Sequence, residues 1–149
     1  MNTSGTHLWL VLGKAFRALR KHAERSLEGI DMCLSDFAIL ELLLNRGPQP
    51  VNTIGQRIDL TSGSVTTAVD RLEQRGFVRR GHDPNDRRAR VVSLTPEGTK
   101  CISKIFGHHK EAMDLAGEAL SKSERETLVQ LLKKLGHSAE ERLEEAVSD

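Results

Sequence analysis

Three arginines, Arg87, Arg88 and Arg90, stand within four positions of the stretch GHDPNDRRARVVSLTPEG. Asp83-Pro84-Asn85-Asp86 precedes them with the chemistry of a type I turn, Asp at its first position and Pro at its second. The apolar run ARVVSL follows. A tight turn that lifts like charges off a small protein suits contact with a polyanion. A narrow minor groove concentrates negative potential and draws in arginine, and cations placed on phosphates release counterions. The alternative is an exposed loop whose arginines pair with Asp83 and Asp86.

Catalytic chemistry finds no comparable footing. The sequence holds no Ser/His/Asp order in a nucleophile-elbow context, no phosphate loop and no paired metal motif, so neither enzymatic activity nor a cofactor is expected. His108 and His109 suggest a metal site with Cys33, Glu24 and Glu41 as co-ligands. Neighbours on a helix point ~100° apart, however, and position 112, where a helical site favours the second histidine, is Ala112. No metal is expected, and the histidines read as solvated or interfacial. Cys33 and Cys101 lie far apart without C-x-x-C spacing, which fits a reducing compartment. Cys33 reads as a buried, inert thiol rather than an oxidant sensor, and Cys101 as core or interface.

The elements that must position the arginines follow from hydrophobic periodicity. A first helix is expected from about Thr6 to Leu27, with Leu8, Leu12, Ala15, Phe16 and Leu19 recurring at helical spacing. Ser35 is the expected N-cap of a second helix, DFAILELLLN, which is apolar nearly all round and stopped by Gly47, Pro48 and Pro50. NTIGQRIDL reads as a short third helix, and TSGSVTTAVDRLEQRG as a fourth, capped by Thr61 or Ser62 and ended by Gly76. FVRRG and ARVVSL read as two strands joined by HDPNDRR. Thr95 and Pro96 open a fifth helix running to about Ala119. Ser121 to Glu124 is a capping box for a sixth, whose apolar stripe (Leu128, Leu131, Leu132, Leu135, Leu143, Val147) is interrupted near Gly136.

Short helix, turn, helix and basic hairpin make a winged helix-turn-helix. In the fourth helix Val65, Ala68, Val69 and Leu72 fall on an inward stripe, while Gly63, Thr66, Thr67 and Asp70 fall on an outward one, with Ser62 and Ser64 near the first turn. A face so small and polar suits a helix that approaches base edges in the major groove. Arg71 and Arg75 lie farther along, within reach of the backbone. A solvated surface helix has the same look.

At 149 residues the chain is long enough to bury a core without staples and is read as one domain. Its 38% hydrophobic and 29% charged residues are ordinary for a soluble globular protein. Net charge is +1, so any affinity for a polyanion must come from local clustering. The N-terminus lacks a signal-peptide pattern, and no apolar run reaches the ~18 residues of a membrane span. A cytoplasmic protein without membrane contact is expected.

DPNDRRARVVSLTPEG resembles the wing signature of MarR-family transcriptional regulators, an Asp-x-x-Asp-Arg-Arg turn leading to a strand that ends Leu-Thr-x-x-Gly. SGSVTTAVDRLEQRGFVRR is similar to that family's recognition helix and the strand after it. The likeness covers nearly the whole chain. It implies a mainly α (α+β) fold, a single MarR-type domain over 1–149, with a winged helix-turn-helix core at 33–95 and dimerisation helices at 6–32 and 96–147. It also implies a homodimeric, sequence-specific DNA-binding regulator, a repressor of a pseudo-palindromic operator relieved by a small aromatic or anionic effector. The same fold also serves redox- or metal-responsive regulators and protein-interaction modules. Carried over by position, the minor-groove arginine falls on Arg87 or Arg88, and the base-reading residues fall among Ser62, Ser64, Thr66, Thr67 and Arg71. Arg75 and Arg90 are expected on phosphates, and Asp70 is expected to position an arginine. An effector pocket is expected among Trp9, Phe16, Arg17 and Phe37, with His7 and Met113 nearby and Arg20 or Arg57 as further candidates to hold a carboxylate; the alternative is that the apolar residues among them are plain core.

Overall fold

The computed structural model describes residues 1–147. It contains α1 (Gly5–Arg25), α2 (Leu34–Arg46), β1 (Gln49–Pro50), α3 (Val51–Ile58), α4 (Ser62–Gln74), β2 (Val78–Asp83), β3 (Asp86–Leu94), α5 (Pro96–Ala116) and α6 (Lys122–Val147). The chain divides into two compact units, Met1–Met113 and Asp114–Asp149. No helix among the described residues is long and apolar enough to cross a membrane.

The core of the first unit is built where the apolar stripes meet. Phe37, Ile39, Leu40 and Leu43 of α2 enclose Ile54 of α3, the inward stripe Val65, Ala68, Val69 and Leu72 of α4, and Ile102 and Ile105 of α5. Gly55 permits the close approach of α3 to α4: a Cβ there would come within 2.9 Å of the Leu60 carbonyl oxygen and 3.3 Å of Val65 Cγ2. The helix-turn-helix is therefore tight because one residue on its inner face has no side chain.

Three antiparallel strands complete this unit in the order β1-β3-β2. Gln49 pairs with Val92 and Pro50 with Val91. The sequence reading took Pro50, with Gly47 and Pro48, as the stop after α2 and expected no strand here. Gln49 and Pro50 form an edge strand, where a proline's missing N–H is tolerated. Val78 and Val92 turn into the core.

Local signals set the helix ends. Thr61 caps α4, its hydroxyl accepting from Ser64 N–H at 3.2 Å. Gly76, at φ +76°, closes it: Phe77 N–H donates to Leu72 carbonyl and Gly76 N–H to Glu73 carbonyl, a Schellman arrangement. Thr95 Oγ1 donates to the Gly76 carbonyl at 2.6 Å and accepts from Gly98 N–H, which fastens the start of α5 to the end of α4. At α2 the reading is corrected. The N-cap is Cys33, without a side-chain cap bond, and Ser35 lies inside the first turn, its hydroxyl 3.1 Å from Cys33 Sγ.

In the second unit, Ser121 and Glu124 form the capping box, with Ser121 N–H and hydroxyl both donating to Glu124 Oε2. The hydrogen bonds hold the Glu124 carboxyl below its usual pKa. Helix α6 runs unbroken through Gly136, and α5 ends three residues earlier than expected. Leu128, Leu131, Leu132, Leu135 and Leu143 of α6 are exposed in the single chain. In the first unit, so are Leu8, Trp9, Leu10, Val11 and Phe16 of α1.

Candidate nucleic-acid interface

The outward face of α4 is formed by exposed Ser62, Gly63, Ser64, Thr66, Thr67 and Asp70. Their hydroxyls are mostly committed within the helix. Thr66 Oγ1 donates to the Ser62 carbonyl at 2.9 Å and Thr67 Oγ1 to the Gly63 carbonyl at 3.0 Å. The long cations of this helix are held elsewhere. Arg71 donates to both oxygens of Asp36, from Nε at 2.8 Å and from Nη2 at 2.5 Å, and Asp36 is buried with 2% exposure. These bonds raise the pKa of the Arg71 guanidinium, outweighing a smaller opposing effect of burial. Arg75 donates to the Asp31 carbonyl at 2.6 Å and lies 4.9 Å from the centroid of the Phe77 ring.

The hairpin is joined to this helix by an arginine the sequence reading did not single out. Arg80 of β2 donates from its backbone and from Nη1 to Glu73, at 3.0 and 2.9 Å, and from Nη2 to Asp70 at 2.5 Å. Asp70 thus holds an arginine, as its expected role required. The strands reach farther than anticipated, leaving Pro84 and Asn85 as the turn. His82 pairs with Arg90 while Asp83 pairs with Asp86, so Arg87, Arg88 and Ala89 oppose no residue of β2. They form a bulge, which bends and twists a strand locally. Two aspartates brace it: Asp83 Oδ1 accepts from Asn85 N–H at 2.8 Å and Asp86 Oδ1 from Arg88 N–H at 2.9 Å. Both carboxylates thus serve backbone amides. Arg87, Arg88 and Arg90 are exposed, and none forms an ion pair among the described residues.

The sequence and the fold are similar to those of known proteins. Residues 33–89 match the family model described as MarR family. The chain is 34% identical to the HTH-type transcriptional regulator MhqR of Bacillus subtilis, over 95% of this chain and 97% of that protein. The chain belongs to the MarR family. It is also 38% identical to the uncharacterised HTH-type transcriptional regulator YkoM of the same organism, over 87% of this chain and 84% of that one. Among solved structures, a mutant MarR from Escherichia coli complexed with operator DNA superposes with a TM-score of 0.76 at 22% identity, covering 86% of this chain and 92% of that chain. The chain is accordingly a MarR-family transcriptional regulator with that family's DNA-binding fold, and its named relatives have a regulatory, non-enzymatic role.

The MarR-type frame also places the residues expected at an effector pocket. A groove of about 780 Å³ lies between α1 and α2 and is lined by Phe16, Arg20, Phe37, Glu41, His109 and Met113, among others. Trp9 and Arg17 are not in its lining. Trp9 sits two turns before Phe16 toward the free end of α1, and Arg17, a step of ~100° round the helix, faces a basic groove with Lys14, Lys21 and Arg25. His7 and Arg57 likewise stand outside the lining. The reading missed His109 as a groove residue. Its ring lies 4.5 Å from that of Phe37, tilted 47°, and its Nδ1 is 3.0 Å from Ser26 Oγ. Ser26 donates its hydroxyl hydrogen to the Ala23 carbonyl at 2.6 Å, so toward His109 it acts as acceptor. The imidazole therefore carries its hydrogen on Nδ1. Burial lowers its pKa, against a smaller opposing pull from Glu41.

Cys33 is exposed, which corrects the buried reading: the N-terminal end of α2 stands at the surface. Its Sγ lies 3.7 Å from Arg71 Nη2. His108 is exposed and is not in the lining of His109's groove. Among the described residues no group of three or more His, Cys, Asp or Glu side chains is placed to hold a metal ion.

Proposed function

We propose that this chain acts in the cytoplasm as a homodimeric repressor of a pseudo-palindromic operator, released by a small aromatic effector. Helix α4 enters the major groove by its first two turns, with Ser62, Ser64, Thr66 and Thr67 toward the bases. Arg87 or Arg88 enters the adjacent minor groove, and Arg90 meets phosphate. In this reading Arg71 and Arg75 are positioning residues, since their guanidinium groups already have partners inside the fold. The observation that carries the proposal is the bulge at Arg87–Ala89, which presents arginines that form no ion pair with any carboxylate among the described residues.

The exposed apolar side chains on α1 and α6 support the dimer, because each helix leaves large hydrophobic groups in water that a second copy would cover. A two-fold dimer places its half-sites about one helical turn apart. The groove supports an aromatic effector through Phe16, Phe37 and His109, and gives an anionic one less support. Glu41 and Asp59 line it, and its one arginine, Arg20, is bonded to Glu24 at 2.9 Å.

The test is a mobility shift on duplexes selected from random DNA, at several salt concentrations. Arg87→Ala or Arg88→Ala is expected to weaken binding at least tenfold while thermal unfolding stays unchanged. Unaltered affinity in both variants overturns the assignment of the wing. Sedimentation of the free protein as a monomer at micromolar concentration would overturn the dimer.

A further inference from the structure

Gly63 is a glycine that the fold does not need. It lies in the first turn of α4 with an ordinary negative φ, and a Cβ built there meets nothing within 4 Å. Glycine in a helix is less favourable than alanine by up to about a tenth of a small domain's stability. The contrast with Gly55 and Gly98 is direct, since a Cβ at either would strike backbone. Gly107 and Gly136 have the same clearance; Gly63 differs in lying on the exposed face of α4 that the proposed function turns to DNA, where a Cβ would stand between the helix and a base edge.

One turn on, Thr67 donates its hydroxyl hydrogen to the Gly63 carbonyl, and Thr66 does the same to Ser62. Thr61 donates to Ser64 Oγ. Each Thr66 and Thr67 side chain, with its O–H turned back on the helix, presents a methyl group and no free donor. The arginines of α4 are occupied, and Gln74 stands at its far end. The first two turns therefore lack the long bidentate side chains that usually read guanine or adenine. The remaining major-groove feature such a face can read is the thymine C5-methyl group, which takes apolar contact with threonine methyls.

We infer that Thr66 and Thr67 select the operator through thymine methyl groups, with Gly63 supplying the clearance that lets the base edge reach them. The inference rests on the reading of α4 as the helix that enters the major groove, and it names the chemistry of that contact. Hydrogen-bonded readout is left to a minor share, and the wing arginines supply most of the affinity.

The experiment uses the full-length protein and a duplex selected from a random pool. Each thymine of one half-site is replaced in turn by uracil, which removes only the methyl group. Loss of about fourfold per contacted methyl is expected, the value of ~0.8 kcal/mol for burying one CH2 group. Thr67→Val, which keeps a methyl and drops the hydroxyl, is expected to bind within twofold of wild type and to keep the uracil penalty. Thr67→Ser, which keeps the hydroxyl and drops the methyl, is expected to lose about fourfold and to become indifferent to uracil at one position. Gly63→Ala is expected to bind every duplex at least tenfold more weakly while melting no lower than wild type. Salt-dependent DNA binding with no uracil penalty, or a Thr67→Val variant that fails where Thr67→Ser succeeds, overturns the methyl readout and leaves the DNA-binding reading standing. Failure to retain any duplex at low salt overturns both.

Discussion

Removing Arg71 or removing its partner Asp36 should have unequal effects, and the inequality separates two roles for this arginine. Asp36 is 2% exposed and takes two hydrogen bonds from the guanidinium, whereas the Arg71 side chain is 43% exposed. In Arg71→Met the carboxylate stays in the interior with neither bond. Stranding one member of a buried pair costs about 3–5 kcal/mol. Water screens this pair on its exposed side, which argues for the lower end, about 3 kcal/mol. At roughly 2–4 °C per kcal/mol for a chain of this size, the melting temperature should fall by about 6–12 °C. In Asp36→Ala the guanidinium can swing into solvent and the cost of burying the carboxylate disappears with it, which offsets most of the two lost bonds, so the loss should be nearer about 1–2 kcal/mol. Urea unfolding at a fixed protein concentration measures both. The reasoning fails if Arg71→Met unfolds like wild type but loses about one unit from the slope of log affinity against log salt. That result would make Arg71 a phosphate contact, as its position in the sequence first suggests.

Gly98→Ala should be among the more damaging single methyl additions in the chain. Its Cβ would collide with the Phe77 carbonyl, backbone that Thr95 N–H also bonds; a loss of about 2–3 kcal/mol is expected in thermal unfolding, typical of overpacking against atoms that cannot yield. Arg80→Ala should loosen the hairpin from α4 by deleting its contacts with Asp70 and Glu73. Faster amide exchange in β2 and weaker operator binding, with little change in global stability, would show it. Burial lowers the His109 pKa, so the unfolded chain binds the proton first as pH falls. Stability from this residue is complete above the unfolded value near 6.5 and declines as pH drops from there through the folded value. His109→Phe should flatten that part of the stability–pH curve, and an unchanged curve would remove His109 as its cause.

What the sequence makes legible is what repeats locally. Val65, Ala68, Val69 and Leu72 recur at helical spacing and all four are buried. Thr61, Gly76, Thr95 and the Ser121–Glu124 box act at their helix ends through bonds spanning only a few residues. The partners of the arginines are a different matter. Arg71 and Asp36 are 35 positions apart, and Arg80 reaches Asp70 across a helix end and a turn, so neither pair leaves a periodic trace. A bulge that opposes three residues to none requires the register of both strands. The groove had the same difficulty: Phe16, Phe37 and Met113 were legible as large apolar side chains, but excluding Trp9 and admitting His109 depends on the phase and reach of three helices.

The chain carries a net charge of only +1, yet three arginines on its wing are exposed and form no ion pair among the described residues. The distribution of its carboxylates accounts for this. Asp36 is spent on Arg71, and Asp70 and Glu73 on Arg80, each pair tying α4 to a neighbouring element. Asp83 and Asp86 belong to the same hairpin as the wing arginines, but each has an oxygen bonded to a backbone amide, of Asn85 and of Arg88. The acidic groups that would cancel the wing's charge are thus the ones that fix its shape. A neutralisation such as Asp86→Ala should then act against simple electrostatics. Removing a negative charge beside Arg87 and Arg88 ought to strengthen DNA binding, but losing the bond to Arg88 N–H should loosen the bulge and weaken it. Ordering an exposed backbone segment costs about 1–2 kcal/mol per residue, more than the ~0.2–1 kcal/mol of an exposed charge pair. The loosening should win, and operator affinity should fall; a variant that binds more tightly would show that charge, not shape, governs the wing.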